Sequence, residues 1–126
     1  GVMIEIIEPC GFMINDKRFK RVVMDYLDEK MIRFYKNYND FLKTKKKENG
    51  RIILMTTKAH TSYTNFKFEI TDTILFGRES AGVPEKVHKL VNNRLKIPLS
   101  LKKRSLNLAT SVAITLAESL RQNKLI

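Results

Sequence analysis

Short apolar runs alternate with amphipathic segments along this chain, and turn residues separate them. Val2–Glu8 is a dense β-branched and apolar run closed by Pro9, Gly11 and Asn15, which predicts a buried strand followed by a loop. Asp16 is placed to cap a basic helix reaching about Asp28, with Phe19, Val22, Val23, Tyr26 and Leu27 along one side. Met31–Tyr35 predicts a second strand. Asn39 or Asp40 then starts a short helix that fades into a lysine run. Gly50 closes that segment, and Arg51–Thr57 predicts a third strand with a polar exit. Residues 58–72 are rich in Thr, Ser and Asn and read as irregular, after which Thr73–Phe76 makes a fourth strand ending at Gly77. Pro84, at a first helical position, opens a short helix to about Val91. Arg94–Leu99 is the fifth strand, stopped by Pro98. The last helix runs from Leu106 to about Asn123, with Ala109, Val112, Ala113, Leu116, Ala117 and Leu120 at i, i+3, i+4 spacing.

Strands alternating with helices predict an α/β domain: a mostly parallel sheet with crossover helices on its faces. At 126 residues, with no internal repeat, low-complexity segment or linker, residues 1–126 read as a single domain. In such sheets ligands bind beyond the carboxyl ends of the strands. Thr56-Thr57, the stretch from Gly77 to Gly82, and Pro98 through Asn107 are therefore the places to look for chemistry.

Charge sharpens this picture. Lys and Arg number 24 against 13 Asp and Glu, a formal net charge of +11. From Lys86 to Ile126 there are nine bases (Lys86, Lys89, Arg94, Lys96, Lys102, Lys103, Arg104, Arg121, Lys124) and one acid, Glu118. Two tighter clusters are Lys17-Arg18-Phe19-Lys20-Arg21 and Lys102-Lys103-Arg104; the run from Lys43 to Lys47 reads as a solvated face. Dispersed cations of this kind suit phosphate contacts, so a nucleic-acid partner is favoured over simple solubility. No apolar run approaches the roughly 18 residues needed to cross a bilayer. The single cysteine, Cys10, excludes an internal disulfide and a cysteine-built zinc cage. A soluble cytoplasmic protein without membrane or metal is the expectation.

Several motifs fail on inspection. Gly77 and Gly82 bracket four residues as in a phosphate loop, but Val83-Pro84 stands where Lys and Ser/Thr are required, and no Gly-x-Gly-x-x-Gly is present. His60 and His88 are far apart with no carboxylate at metal-ligand spacing, and read as ordinary surface or satisfied histidines. Cys10 has no evident base partner and reads as a small semi-buried residue. Singly, Gly77 and Gly82 could be plain turn residues, Pro98 a strand terminator and Ser105 the cap of the last helix. What remains is a trio of segments in a fixed order: Met55-Thr56-Thr57, then Leu75 to Pro84, then Ile97-Pro98-Leu99 through Arg104-Ser105-Leu106-Asn107-Leu108.

The last two segments resemble the second and third signature motifs of the SpoU branch of the SPOUT RNA methyltransferases. Within that branch the chain is most similar to the small tRNA (cytidine/uridine-2′-O-)-methyltransferases that modify the wobble nucleotide, the TrmL type. Ile7-Glu8-Pro9-Cys10-Gly11-Phe12, Asp16-Lys17-Arg18, Asp25-Tyr26 and Thr56-Thr57-Lys58 match the same subgroup, so the resemblance runs over nearly the whole chain. It implies an α/β domain with a deep trefoil knot in its C-terminal part, working as a homodimer; knots are too rare for any pattern argument to predict one. It implies S-adenosyl-L-methionine as cofactor, with Met55, Thr56, Gly77, Ile97, Ser105 and Leu106 on the contacting positions. Glu79, Ser105 and Asn107 match the polar residues of the active site, and tRNA is the implied partner. Lys17, Arg18, Arg21, Lys102, Lys103 and Arg104 are the candidates for its phosphates.

The implied reaction moves a methyl group from a sulfonium to a ribose 2′-hydroxyl, which needs alignment and a way to remove the hydroxyl proton, but no metal. In the family that proton is assigned to an arginine of the first motif. The 126 residues hold no such motif: Gly1-Val2 aligns with the family's second strand, and position 1 is not Met. The resemblance therefore implies a member cut at its amino end, expected to be inactive or weakly active alone. A non-catalytic RNA-binding remnant of such an enzyme is the alternative. A generic nucleotide-binding α/β domain would follow only if the resemblance were illusory.

Overall fold

The computed structural model describes residues 1–9, 17, 21, 28–78, 82–100 and 106–126. They divide into two compact units, Gly1–Glu48 and Asn49–Ile126.

In the first unit, β1 (Ile4–Ile7) and β2 (Ile32–Tyr35) pair in parallel, Ile4 opposite Ile32 and Ile7 opposite Tyr35. A 3₁₀ turn over Glu29–Met31 leads into β2. Helix α1 (Tyr38–Glu48) follows, with the Asn37 side chain accepting from the Asp40 amide at 2.9 Å and so satisfying one open N–H of the first turn. The helix does not fade at the lysines but continues through them to Glu48, and Asn49 ends it with φ 56°. Lys45 is not solvated, as the sequence suggested, but buried. Its Nζ sits 2.6 Å from Glu5 Oε2 and 3.1 Å from Glu48 Oε2, close to the edge-to-face pair of Tyr35 and Phe41. The predicted basic helix after Asp16 lies largely outside the described residues; Lys17 and Arg21 are helical and exposed.

The second unit is a parallel sheet in the order β4-β6-β3-β5, formed by β3 (Ile52–Met55), β4 (Thr61–Ser62), β5 (Thr73–Phe76) and β6 (Asn93–Lys96). Ile53 of the central strand and Leu95 of β6 are buried together with Phe68, and Met55, Tyr63, Phe66 and Ile74 pack around that cluster; Leu54, on the other face of the same strand, is buried too. The short α2 (Glu85–Leu90) joins β5 to β6, and α3 (Leu108–Gln122) closes the chain. Gln122 ties the end of α3 to the irregular segment: its amide donates to Phe66 O at 2.9 Å and its Oε1 accepts from Phe68 N at 2.9 Å. At the opposite edge of the loop, Arg51 grips Asp72 with two hydrogen bonds of 2.7 Å and stacks 5.0 Å from the Phe66 ring.

Parallel pairing throughout and the order of strands and helices agree with the α/β reading. β4 was not foreseen within the stretch read as irregular. Among the described residues no helix is long and apolar enough to cross a membrane.

Candidate functional site

β3, β5 and β6 are parallel neighbours, so their carboxyl ends lie on one side of the sheet. Each exits into polar or glycine-bearing chain: Thr56-Thr57 after β3, Gly77-Arg78 after β5, Ile97 and Leu99 after β6. A cleft of about 550 Å³ opens there, within the 300–1,000 Å³ range of small-molecule sites, and the residues leading into α3 complete its wall.

Of the residues singled out in the sequence, Met55, Thr56, Gly77, Ile97, Leu106 and Asn107 all line this one cleft. Glu79 and Ser105 lie outside the described residues, as do Arg18, Lys102, Lys103 and Arg104. Lys17 and Arg21 belong to the first unit and are exposed.

Local hydrogen bonds fix the wall. The Thr56 amide donates to Leu95 O at 2.8 Å, which ties the β3 exit to β6, and its carbonyl accepts from Ala59 N at 3.2 Å. After β5 the chain turns back on itself: Arg78 and Gly82 exchange backbone bonds, Arg78 N to Gly82 O at 3.2 Å and Gly82 N to Arg78 O at 2.8 Å. Gly82 takes φ +64°, the left-handed region that glycine enters without a Cβ penalty. Asn107, rather than Ser105, caps α3: its Oδ1 accepts from Thr110 N at 3.3 Å. Its carbonyl also accepts from Ser111 N at 2.9 Å.

Sequence reasoning passed over three cleft residues. His88 of α2 reaches in beside Thr56, with ring Nε2 3.3 Å from Thr56 Oγ1 and Nδ1 3.3 Å from an Arg94 guanidinium nitrogen. It is a satisfied histidine, as expected, but satisfied at the site. Lys58 and Arg78 are exposed cations that also line the cleft, Lys58 lying 3.7 Å from Glu85. Their signal was available, since both directly follow the polar strand exits. His88 left none, because spacing does not reveal that α2 carries it over to β3.

The wall suits a nucleoside-sized ligand with both polar and thioether or methyl surface. Met55, Ile97, Leu99, Leu106 and Leu108 offer apolar contact, while Thr56, Asn107 and the Gly77 backbone offer hydrogen-bonding groups. Among the described residues no group of three or more His, Cys, Asp or Glu is arranged to hold a metal ion.

The family model of the SpoU rRNA methylase family matches residues 1–117. A tRNA (cytidine(34)-2′-O)-methyltransferase of Ancylobacter novellus is 43% identical over 122 residues, covering 97% of this chain and 77% of that protein. A solved structure described as giving structural insights into the 2-OH methylation of C/U34 on tRNA superposes with a TM-score of 0.86 at 31% identity, covering 98% of this chain and 80% of the other. An AdoMet-bound rRNA methyltransferase from Sinorhizobium meliloti, at 20% identity and a TM-score of 0.80, covers 96% of this chain and 46% of its own, a likeness of fold. The family match over residues 1–117 means that this chain belongs to the SpoU rRNA methylase family.

Proposed function

We propose that this chain is a cytoplasmic S-adenosylmethionine-dependent methyltransferase acting on the ribose 2′-hydroxyl of a tRNA wobble nucleotide. In that reading it works as a homodimer, with helices on both faces of its sheet and a trefoil knot in its C-terminal part. The observation that carries the proposal is the convergence of Met55, Thr56, Gly77, Ile97, Leu106 and Asn107 on a single cleft at the strand exits. The named relatives, which are tRNA (cytidine(34)-2′-O)-methyltransferases, support the substrate. The family match from residue 1 to 117 runs through both compact units, which supports reading residues 1–126 as one catalytic domain.

S-adenosylmethionine supplies a methyl group already activated on a sulfonium, so the reaction needs no metal. The chain's own part is to bind, orient and exclude water. Leu106, Ile97 and Met55 present apolar surface; the Gly77 backbone and the Thr56 hydroxyl present hydrogen-bonding partners. With the methyl donor bound, such contacts would hold it in one orientation toward the acceptor hydroxyl, a contribution to rate by alignment. Asn107, Glu79 and Ser105 are the polar residues proposed to act on the ribose hydroxyl. Arg78 and Lys58, exposed at the cleft, draw in the phosphate backbone. Lys17, Arg18, Arg21 and Lys102–Arg104 extend that footprint.

Calorimetry with S-adenosylhomocysteine, followed by a tRNA titration, tests the reading. Binding of both supports the enzyme; RNA binding alone identifies a non-catalytic remnant, and binding of neither removes the proposal.

A further inference from the structure

Thr56 lines the cleft, and the neighbours of its hydroxyl determine where that proton can go. Its Oγ1 accepts from the Lys58 backbone N–H at 3.2 Å and lies 3.3 Å from His88 Nε2. The other ring nitrogen, Nδ1, is 3.3 Å from Arg94 NH1. A guanidinium stays charged and has only donors. Nδ1 is therefore the accepting nitrogen, and in the neutral ring Nε2 carries the hydrogen. Nε2–H then donates to Thr56. In the opposite tautomer two donors would face each other across the Arg94–His88 contact.

With Lys58 N–H and His88 Nε2–H both directed at Oγ1, the acceptor capacity of the hydroxyl is filled and its own O–H must be given away. None of the described residues accepts it. The Thr56 backbone is anchored on both sides, to Leu95 O and Ala59 N, which fixes its Cα at the rim of the sheet.

We propose that Arg94 and His88 are positioning residues that fix the Thr56 hydroxyl as a hydrogen-bond donor into the cleft, where it serves an acceptor atom of the bound methyl donor. The inference rests on the cofactor reading of the cleft. It assigns to His88 a purpose beyond filling space: set by Arg94, it orients a donor that would otherwise turn back onto the protein.

Two measurements test the relay. Long-range proton–nitrogen correlation of the imidazoles, in the ligand-free protein at mildly alkaline pH, should show His88 as the Nε2–H tautomer, its signals identified by their loss in His88→Gln. Arg94→Met should release the ring to a mixture. An Nδ1–H ring in the native protein overturns the proposal. In calorimetry with S-adenosylhomocysteine, Thr56→Val and His88→Ala should each weaken binding by about 3–10-fold, the worth of one neutral hydrogen bond. The double variant should bind no more weakly than the poorer single, because both remove the same interaction. His88→Gln, which keeps an N–H at similar reach, should recover part of the loss. Additive losses, or none in either variant, overturn the relay while leaving the cofactor site standing. A native chain that binds no S-adenosylhomocysteine overturns the cofactor reading and the relay together.

Discussion

Gly77 rests directly on the backbone of Gly82: a Cβ at Gly77 would stand 2.5 Å from the Gly82 carbonyl carbon and 2.6 Å from Val83 N. No side chain fits there without opening the turn that carries Arg78 into the cleft. Gly77→Ala is expected to weaken S-adenosylhomocysteine binding more than tenfold in a calorimetric titration. Gly82→Ala has open space around its Cβ but a φ of +64°, and should cost only about 1 kcal/mol of stability. Equal, small effects of the two substitutions would show that the close contact is not what shapes the site.

Lys45 and Glu5 form the electrostatic centre of the first unit. Glu5 also accepts from Tyr35 OH at 2.7 Å, and Arg33 pairs with Glu48 on the same network. Removing one partner of a buried pair leaves a charge in a poor solvent, so Glu5→Ala should destabilise by about 3 kcal/mol in a denaturant melt, near the low end for such losses because Glu48 remains. Glu5→Leu combined with Lys45→Met should recover most of that. A double variant as unstable as the single one would mean that the pair does more than neutralise itself.

Hydrogen bonds from Arg121, and then from Gln122, hold the Glu118 carboxyl down to about 2. A depressed folded-state value contributes stability that is complete above the ordinary glutamate value of about 4.3 and is lost as pH falls toward 2. Thermal melts between pH about 5 and 2 should therefore steepen in the native chain and flatten in Glu118→Gln. Identical acid limbs would contradict the assignment.

Lys17 and Arg21 are each helical and exposed. Replacing both with Gln should lower tRNA affinity and reduce the slope of log affinity against log salt by about 1 to 2, the share of two phosphate contacts. Filter binding across a salt series reads both quantities. An unchanged slope moves the footprint elsewhere.

Most strands were legible because apolar β-branched runs end at glycine, proline or polar residues; Thr73–Phe76 matches its predicted bounds. Others are shorter than their runs. Ile52–Met55 stops where the Thr56 hydroxyl accepts from the Lys58 amide and turns the chain. β4 escaped notice because Thr61-Ser62 is polar and only two residues long. The lysine run concealed a continuing helix, since lysine is a good helix former and one of these lysines is drawn inward by Glu5, a partner 40 positions away in the sequence that no local pattern reveals. The cleft itself was half legible. Its strand-exit residues follow from the parallel sheet, whereas His88 depends on contacts 32 residues away to Thr56 and on an arginine in the next strand.

The central claim is that the strand exits and the start of α3 grip the methyl donor. Amide chemical shifts recorded while S-adenosylhomocysteine is added test it most directly. The account predicts the largest changes at Met55, Thr56, Gly77, Ile97, Leu106 and Asn107, with β1 and β2 little altered. Changes centred on β1 and β2, or none at any of these six, would contradict it.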